Sequence, residues 1–168
     1  MEKKQNVTLI GMPGVGKSTV GVVLAKVLGY QFVDADLVIQ EQEGKLLREI
    51  IAEVGTEGFI EVENRVNASL MVRHSVIATG GSVVYGAEAM EHLSQIGTVV
   101  YLSLPFEILN KRLHDIKGRG VALREGQTLR DLFEERVPLY EKYADITVDE
   151  YGLNVEQTIE KVVAALEG

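Results

Sequence analysis

The chain has 168 residues and is 46% hydrophobic, which fits one domain with a sizeable core. Its 17 basic and 25 acidic side chains leave a formal net charge of −8, which argues against a broad nucleic-acid or anionic-membrane surface but leaves room for a local basic pocket. The absence of cysteine excludes a disulfide framework and a thiolate metal site, and no apolar run is long enough to span a bilayer.

From the start, Met1-Glu2-Lys3-Lys4-Gln5-Asn6 leads into the first strand without the apolar region of a signal peptide, so a cytoplasmic enzyme is expected. The apolar run 7–10 reads as a buried strand, and 18–28 reads as a helix that Gly29 ends. A short strand at 31–34 follows, then helical patterns at 37–42 and 46–54 separated by Gly44, and a longer one at 58–71. Residues 75–79 form a third strand ending at Gly80-Gly81, 87–96 are helical, and 98–102 are a wholly apolar strand of the kind buried on both faces. Pro105 opens a helix carrying Leu109, Arg112 and Leu113, and the polar, glycine-rich stretch 117–120 comes next. A helix at 128–143, a fifth strand at 145–148 and a helix at 155–166 close the chain. Strands alternating with helices predict an α/β fold with a five-stranded parallel sheet flanked by helices, and small-molecule sites in such sheets lie at the carboxyl ends of the strands.

The segment between the first strand and its helix carries the strongest chemical signal. Gly11-Met12-Pro13-Gly14-Val15-Gly16-Lys17-Ser18 matches G-x-x-x-x-G-K-[ST], with the strand before it and the helix after it that a phosphate-binding P-loop requires. The glycines let backbone N–H groups, including those of Gly14, Val15 and Gly16, turn toward phosphate oxygens at a helix N-terminus. Lys17 offers a mobile positive charge to the β- and γ-phosphates, Ser18 is placed to ligate Mg²⁺, and Thr19 follows in the same first turn. A glycine-rich turn that merely joins strand to helix is the bland alternative, and the complete Lys-Ser ending weighs against it.

Two other strand ends also carry polar residues. Asp34 and Asp36 follow the second strand, Asp34 as a candidate to hold Mg²⁺ through its water shell and Asp36 to orient or deprotonate an acceptor hydroxyl. Acids at these positions also occur as strand-end and N-cap residues, a role that suits Asp34 better than Asp36. Gly80 and Gly81 could present bare backbone N–H groups to a substrate oxygen, next to Ser82.

With these segments in view, the chain resembles the shikimate kinase family over nearly its whole length. The resemblance rests on the P-loop, Phe32-Val33-Asp34-Ala35-Asp36, Glu57-Gly58-Phe59 with Glu63, Ala78-Thr79-Gly80-Gly81, and Glu135-Arg136-Val137-Pro138-Leu139-Tyr140. It implies a P-loop kinase fold, most simply one domain over 1–168, with a substrate-binding helical segment at 35–71 and a lid at 114–127. It also implies ATP and Mg²⁺ as cofactors, a small-molecule acceptor, a monomer, and neither nucleic-acid nor membrane partners. By the same resemblance, Arg136 grips the acceptor carboxylate, Arg112 stacks on adenine, and Arg119 closes with the lid over the transferred phosphoryl group.

Three positions depart from the family pattern. Phe59 is followed by Ile60 where the family has a second carboxylate-binding arginine, Ser82 replaces a third glycine, and the lid reads Arg119-Gly120-Val121-Ala122-Leu123 in place of Arg-Pro-Leu-Leu. Either Arg136 suffices alone, Arg65 or Lys45 substitutes for the missing cation, or the acceptor differs. The competing readings are a kinase of another small hydroxy compound, such as a hydroxy amino acid or sugar acid, a nucleotide or nucleoside kinase, and a nucleotide-dependent regulatory module. His74, His92 and His114 read as solvated, and Glu41, Glu43, Glu49, Glu53, Glu57 and Glu61 as exposed helix faces.

Overall fold

The continuous apolar runs of the first and fourth predicted strands have no polar face to give to water, so they belong at the centre of a sheet covered on both sides. A computed structural model, which describes residues 5–114 and 126–168, places them there. Five parallel strands, β1 (Asn6–Ile10), β2 (Gln31–Asp34), β3 (Ser75–Ala78), β4 (Gly97–Ser103) and β5 (Ile146–Asp149), lie in the order β2-β3-β1-β4-β5. Every residue of β1 and β3 is buried, and Leu9, Ile77, Val99 and Val100 are fully inaccessible. The register pairs Leu9 with Ala78 on one side and with Val100 on the other, so β1, β3 and β4 end at nearly the same level. The loops that leave those ends therefore meet.

Among the described residues seven helices flank the sheet: α1 (Lys17–Leu28), α2 (Ala35–Glu43), α3 (Leu47–Ala68), α4 (Ala87–Ile96), α5 (Phe106–His114), α6 (Leu129–Tyr143) and α7 (Val155–Glu167). Helix α1 packs on β3 and α7, while α4 and α6 pack on β4 and α3 lies against α4. The helical patterns expected at 46–54 and 58–71 run as the single element α3, broken at Gly55, whose φ of 75° and ψ of 175° are not helical. The break separates a first segment that buries Ile50 from a longer one that packs on α4 and the turn after β3. A 3₁₀ turn at Val83–Tyr85, absent from the sequence reading, follows the Gly80-Gly81 turn.

A second, smaller cluster of Ile39, Ile50, Phe59 and Val66 ties α2 to α3 beside the main core. This cluster fixes which face of α3 turns inward. After the break its buried positions are Phe59, Glu63, Val66 and Asn67, at the spacing of one helical stripe, so the packing of Phe59 and Val66 carries the carboxyl group of Glu63 inside with them. Among the described residues, no helix is long and apolar enough to cross a membrane.

Candidate active site

The carboxyl ends of β1 and β3 and the start of α2 enclose a cleft of about 240 Å³ whose lining includes Gly14, Gly16, Lys17, Ser18, Thr19, Asp36, Gly80, Gly81, Ser82 and Arg136. Ten of the positions expected from the sequence thus meet in one place. On the β1 side, Gly14 and Gly16 adopt φ of 94° and 84°, the left-handed region that a side chain disfavours, and Gly16 precedes the first turn of α1. The Lys17 side chain is buried and its Nζ donates to the carbonyl oxygens of Gly11 at 2.6 Å and Met12 at 3.0 Å. These bonds hold the ammonium group over the loop. Ser18 and Thr19 are exposed on the first turn, and Gly11 and Val15 are buried beneath the loop.

On the β3 side, the Thr79 hydroxyl donates to the Leu9 carbonyl oxygen at 2.8 Å, which ties the Gly80-Gly81 turn to the end of β1. The two glycines are needed for space. A Cβ at Gly80 would come within 2.7 Å of Glu63 Oε2 and 2.8 Å of Asp36 Oδ1, and one at Gly81 would come within 2.7 Å of an Arg136 guanidinium nitrogen. Two acids therefore face one bare backbone position and an arginine faces the next.

Glu63 is the site residue that the sequence reading left unassigned. It is 1% exposed and lines the cleft, its Oε1 accepts from the Ser82 hydroxyl at 2.5 Å, and its Oε2 has no hydrogen-bond partner among the described residues. Burial pushes its carboxyl up to about 7, with the Ser82 bond opposing the rise, the Asp36 charge adding to it, and the Arg136 and Lys17 charges opposing it. The signal for Glu63 was a charge on an otherwise apolar helical stripe, four residues after Phe59. Reading 63 in register with 59, 66 and 67 finds it.

Arg136 is 1% exposed and comes from the middle of α6. Its Nε donates to the Tyr85 hydroxyl at 3.4 Å, and the guanidinium lies 5.4 Å from the centre of the Tyr85 ring. Tyr85 in turn donates to Glu135 Oε2 at 3.0 Å, which also accepts from Gln127 at 2.9 Å. One turn further along α6, Tyr140 donates to the Gly81 carbonyl oxygen at 2.6 Å. The 3₁₀ turn that the sequence did not reveal supplies Tyr85.

The remaining expectations divide. Asp34 acts as the N-cap of α2, its Oδ1 accepting from the backbone of Asp36 at 3.0 Å and Leu37 at 3.3 Å, and it is not among the residues lining the cleft. Ser82 does line the cleft, but its hydroxyl is engaged by Glu63. Arg112 lies exposed beside the P-loop and donates to the Gly14 carbonyl oxygen at 2.8 Å. Arg65 and Lys45 do not replace the missing cation, because they form surface ion pairs with Glu43 and Glu53. Ile60 is half-buried and is not part of the cleft lining. His92, expected to be solvated, instead lies 2.6 Å from the Leu70 carbonyl oxygen. Arg119 and nearly all of the expected lid lie outside the described residues.

No group of three or more His, Asp or Glu side chains forms a cation cage among the described residues. A magnesium ion that keeps its waters and phosphate oxygens needs only one or two protein ligands, so the donor set of an exposed Ser18 hydroxyl beside a phosphate loop fits it.

The family model described as shikimate kinase matches residues 13–167. A shikimate kinase of Thermodesulfovibrio yellowstonii is 35% identical over 166 residues, covering 97% of this chain and 95% of the relative. One of Synechococcus is 40% identical over 167 residues, covering 97% and 85%. The structure of shikimate kinase from Acinetobacter baumannii in complex with shikimate is similar with a TM-score of 0.86 and 34% identity, covering 96% of this chain and 92% of that one. The chain belongs to the shikimate kinase family.

Proposed function

We propose that the protein transfers the γ-phosphoryl group of ATP to a hydroxyl of shikimate, forming shikimate 3-phosphate within aromatic amino-acid biosynthesis. The observation that carries this reading is the convergence of Lys17, Asp36 and Arg136 on one cleft beside Gly80-Gly81. A phosphate loop, an acid for an alcohol and a buried guanidinium for a carboxylate are the three recognition elements that a hydroxy acid kinase needs. Family membership and the similarity to a relative holding shikimate point the same way.

Phosphoryl transfer asks little covalent chemistry of a protein and much positioning and charge neutralisation. The P-loop amides of Gly14, Val15 and Gly16 cradle the phosphates, and Lys17 moves from its loop carbonyls to the β- and γ-phosphates. Ser18 would hold Mg²⁺ directly and Asp34 would hold it through water, and the ion would supply charge neutralisation for the phosphates. Arg136 binds the acceptor carboxylate by paired hydrogen bonds, which fixes the ring, and the Gly80 and Gly81 amides hold its oxygens. Asp36 orients the attacking hydroxyl and takes its proton as the bond to phosphorus forms. Arg112 meets the adenine from α5. Arg119, which lies outside the described residues, is the arginine we assign to neutralising charge on the transferred group. We infer a monomer acting in the cytoplasm.

ADP release measured against a panel of hydroxy acids tests the reading. Stimulation by shikimate alone is expected. Stimulation by a hydroxy amino acid or sugar acid in its place moves the reading to another small-molecule kinase, and slow ATP hydrolysis that no acceptor stimulates replaces it with a regulatory module.

A further inference from the structure

Ser82 lines the cleft, yet its hydroxyl is directed at Glu63, to which it donates at 2.5 Å. The bond fixes one oxygen of a carboxyl group that is 1% exposed, and it leaves the other, Oε2, without a partner among the described residues. That free oxygen and Asp36 Oδ1 both crowd the space a Cβ at Gly80 would fill. An unpartnered buried carboxyl oxygen costs about 1–3 kcal/mol when nothing satisfies it, so a ligand that brings a hydroxyl to it recovers that cost on binding. We propose that Ser82 is a positioning residue for acceptor recognition, whose hydroxyl locks Glu63 so that Oε2 receives a second hydroxyl of the acceptor beside the one held by Asp36.

The proposal rests on the kinase reading above and adds to it a selectivity for acceptors with two neighbouring hydroxyls. A site built to hydrogen-bond a hydroxyl rejects an analogue lacking it far more strongly than an apolar pocket rejects a missing methylene. The carboxyl is faced by Asp36 from α2, by Lys17 from α1 and by Arg136 from α6. The first raises its proton affinity and the other two lower it, as does the Ser82 bond. Removing the hydroxyl therefore moves the titration of Glu63 to higher pH as well as freeing its rotamer.

The test uses the full chain as wild type, Ser82→Ala, Ser82→Thr, Glu63→Gln and the double variant Ser82→Ala/Glu63→Gln. Titration of the Glu63 side-chain carboxyl by carbon-13 NMR in the ligand-free protein is expected to move upward in Ser82→Ala and to return toward the wild-type value in Ser82→Thr. In kinetics, Ser82→Ala is expected to raise the shikimate KM about fivefold, the value of roughly one hydrogen bond, while kcat falls less than twofold. The alanine change is expected to add nothing in the Glu63→Gln background. An unmoved Glu63 titration, or an effect of Ser82→Ala on KM that persists undiminished without Glu63, overturns the proposal. Failure of the wild type to turn over shikimate counts against the proposed function, while the NMR titration still decides the Ser82–Glu63 linkage by itself.

Discussion

Arg136 and Tyr140 stand one helical turn apart on the same face of α6, and both reach the Gly81 position: a guanidinium nitrogen of Arg136 closes its Cβ space and the Tyr140 hydroxyl donates to its carbonyl oxygen at 2.6 Å. The arginine that grips the acceptor and the turn that presents backbone amides to it are therefore set by one helix. Tyr140→Phe removes the bond while keeping the ring, which stacks on Tyr101 with centroids 5.1 Å apart. We expect a loss of about 1 kcal/mol, a fall in Tm of roughly 2–4 °C, and a higher KM for the acceptor with an unchanged KM for ATP. Thermal scanning with two-substrate kinetics checks this; a matched rise in both KM values contradicts a local role.

Arg136→Lys keeps one positive charge and loses the planar fork that can meet both oxygens of a carboxylate. Neither Arg65 nor Lys45 reaches the cleft, and Lys17, which also lines it, belongs to the phosphate loop. The shikimate KM is expected to rise by about 10²-fold, in the range for disturbing a buried hydrogen-bonded charge pair. A rise of less than threefold, measured by initial rates at saturating ATP, shows that the acceptor carboxylate is held elsewhere.

A methyl group at position 80 would meet Glu63 Oε2 at 2.7 Å and Asp36 Oδ1 at 2.8 Å, so these two side chains must give way to it. Gly80→Ala is expected to displace the two acids, lower kcat/KM for the acceptor by at least tenfold and leave nucleotide affinity near wild type. Calorimetric titration with a nucleotide analogue and with shikimate separates the two; equal losses for both point to a collapsed cleft instead of displaced acids.

Those distances show where reading the sequence succeeds and where it stops. The P-loop, Asp36 and the Gly80-Gly81 turn were legible because each lies within a few residues of a strand end, and the sheet register then brings them together. Tyr85 and Tyr140 were not, because their roles depend on contacts across 51 and 59 residues of chain. Glu63 fell between the two cases: its helical stripe was visible, but the meaning of a buried acid with one free oxygen depends on Ser82, nineteen residues away. The break at Gly55 shows the limit of periodicity, since two adjacent helical patterns can be one element bent at a single glycine.

The buried acids also predict how stability depends on pH. Burial raises Glu63 and Glu150 to about 7, above the usual carboxylate value that the unfolded chain keeps. Between roughly pH 4.5 and 7 the folded state then binds more protons than the unfolded state, so these two groups make stability fall as pH rises through that window and level off above it. Glu63→Gln removes one of the two contributions, and the fall in Tm between pH 5 and 7.5 is expected to be shallower in the ligand-free variant than in wild type. A steeper or unchanged fall contradicts the assignment of a raised value to Glu63.

The central claim is that the cleft transfers a phosphoryl group to shikimate instead of losing it to water. Phosphorus-31 NMR of the protein with ATP, Mg²⁺ and shikimate tests it most directly. A new phosphomonoester resonance, coupled to the proton at carbon 3 of the ring, is expected to grow one for one with ADP. ADP accompanied by inorganic phosphate alone would contradict it.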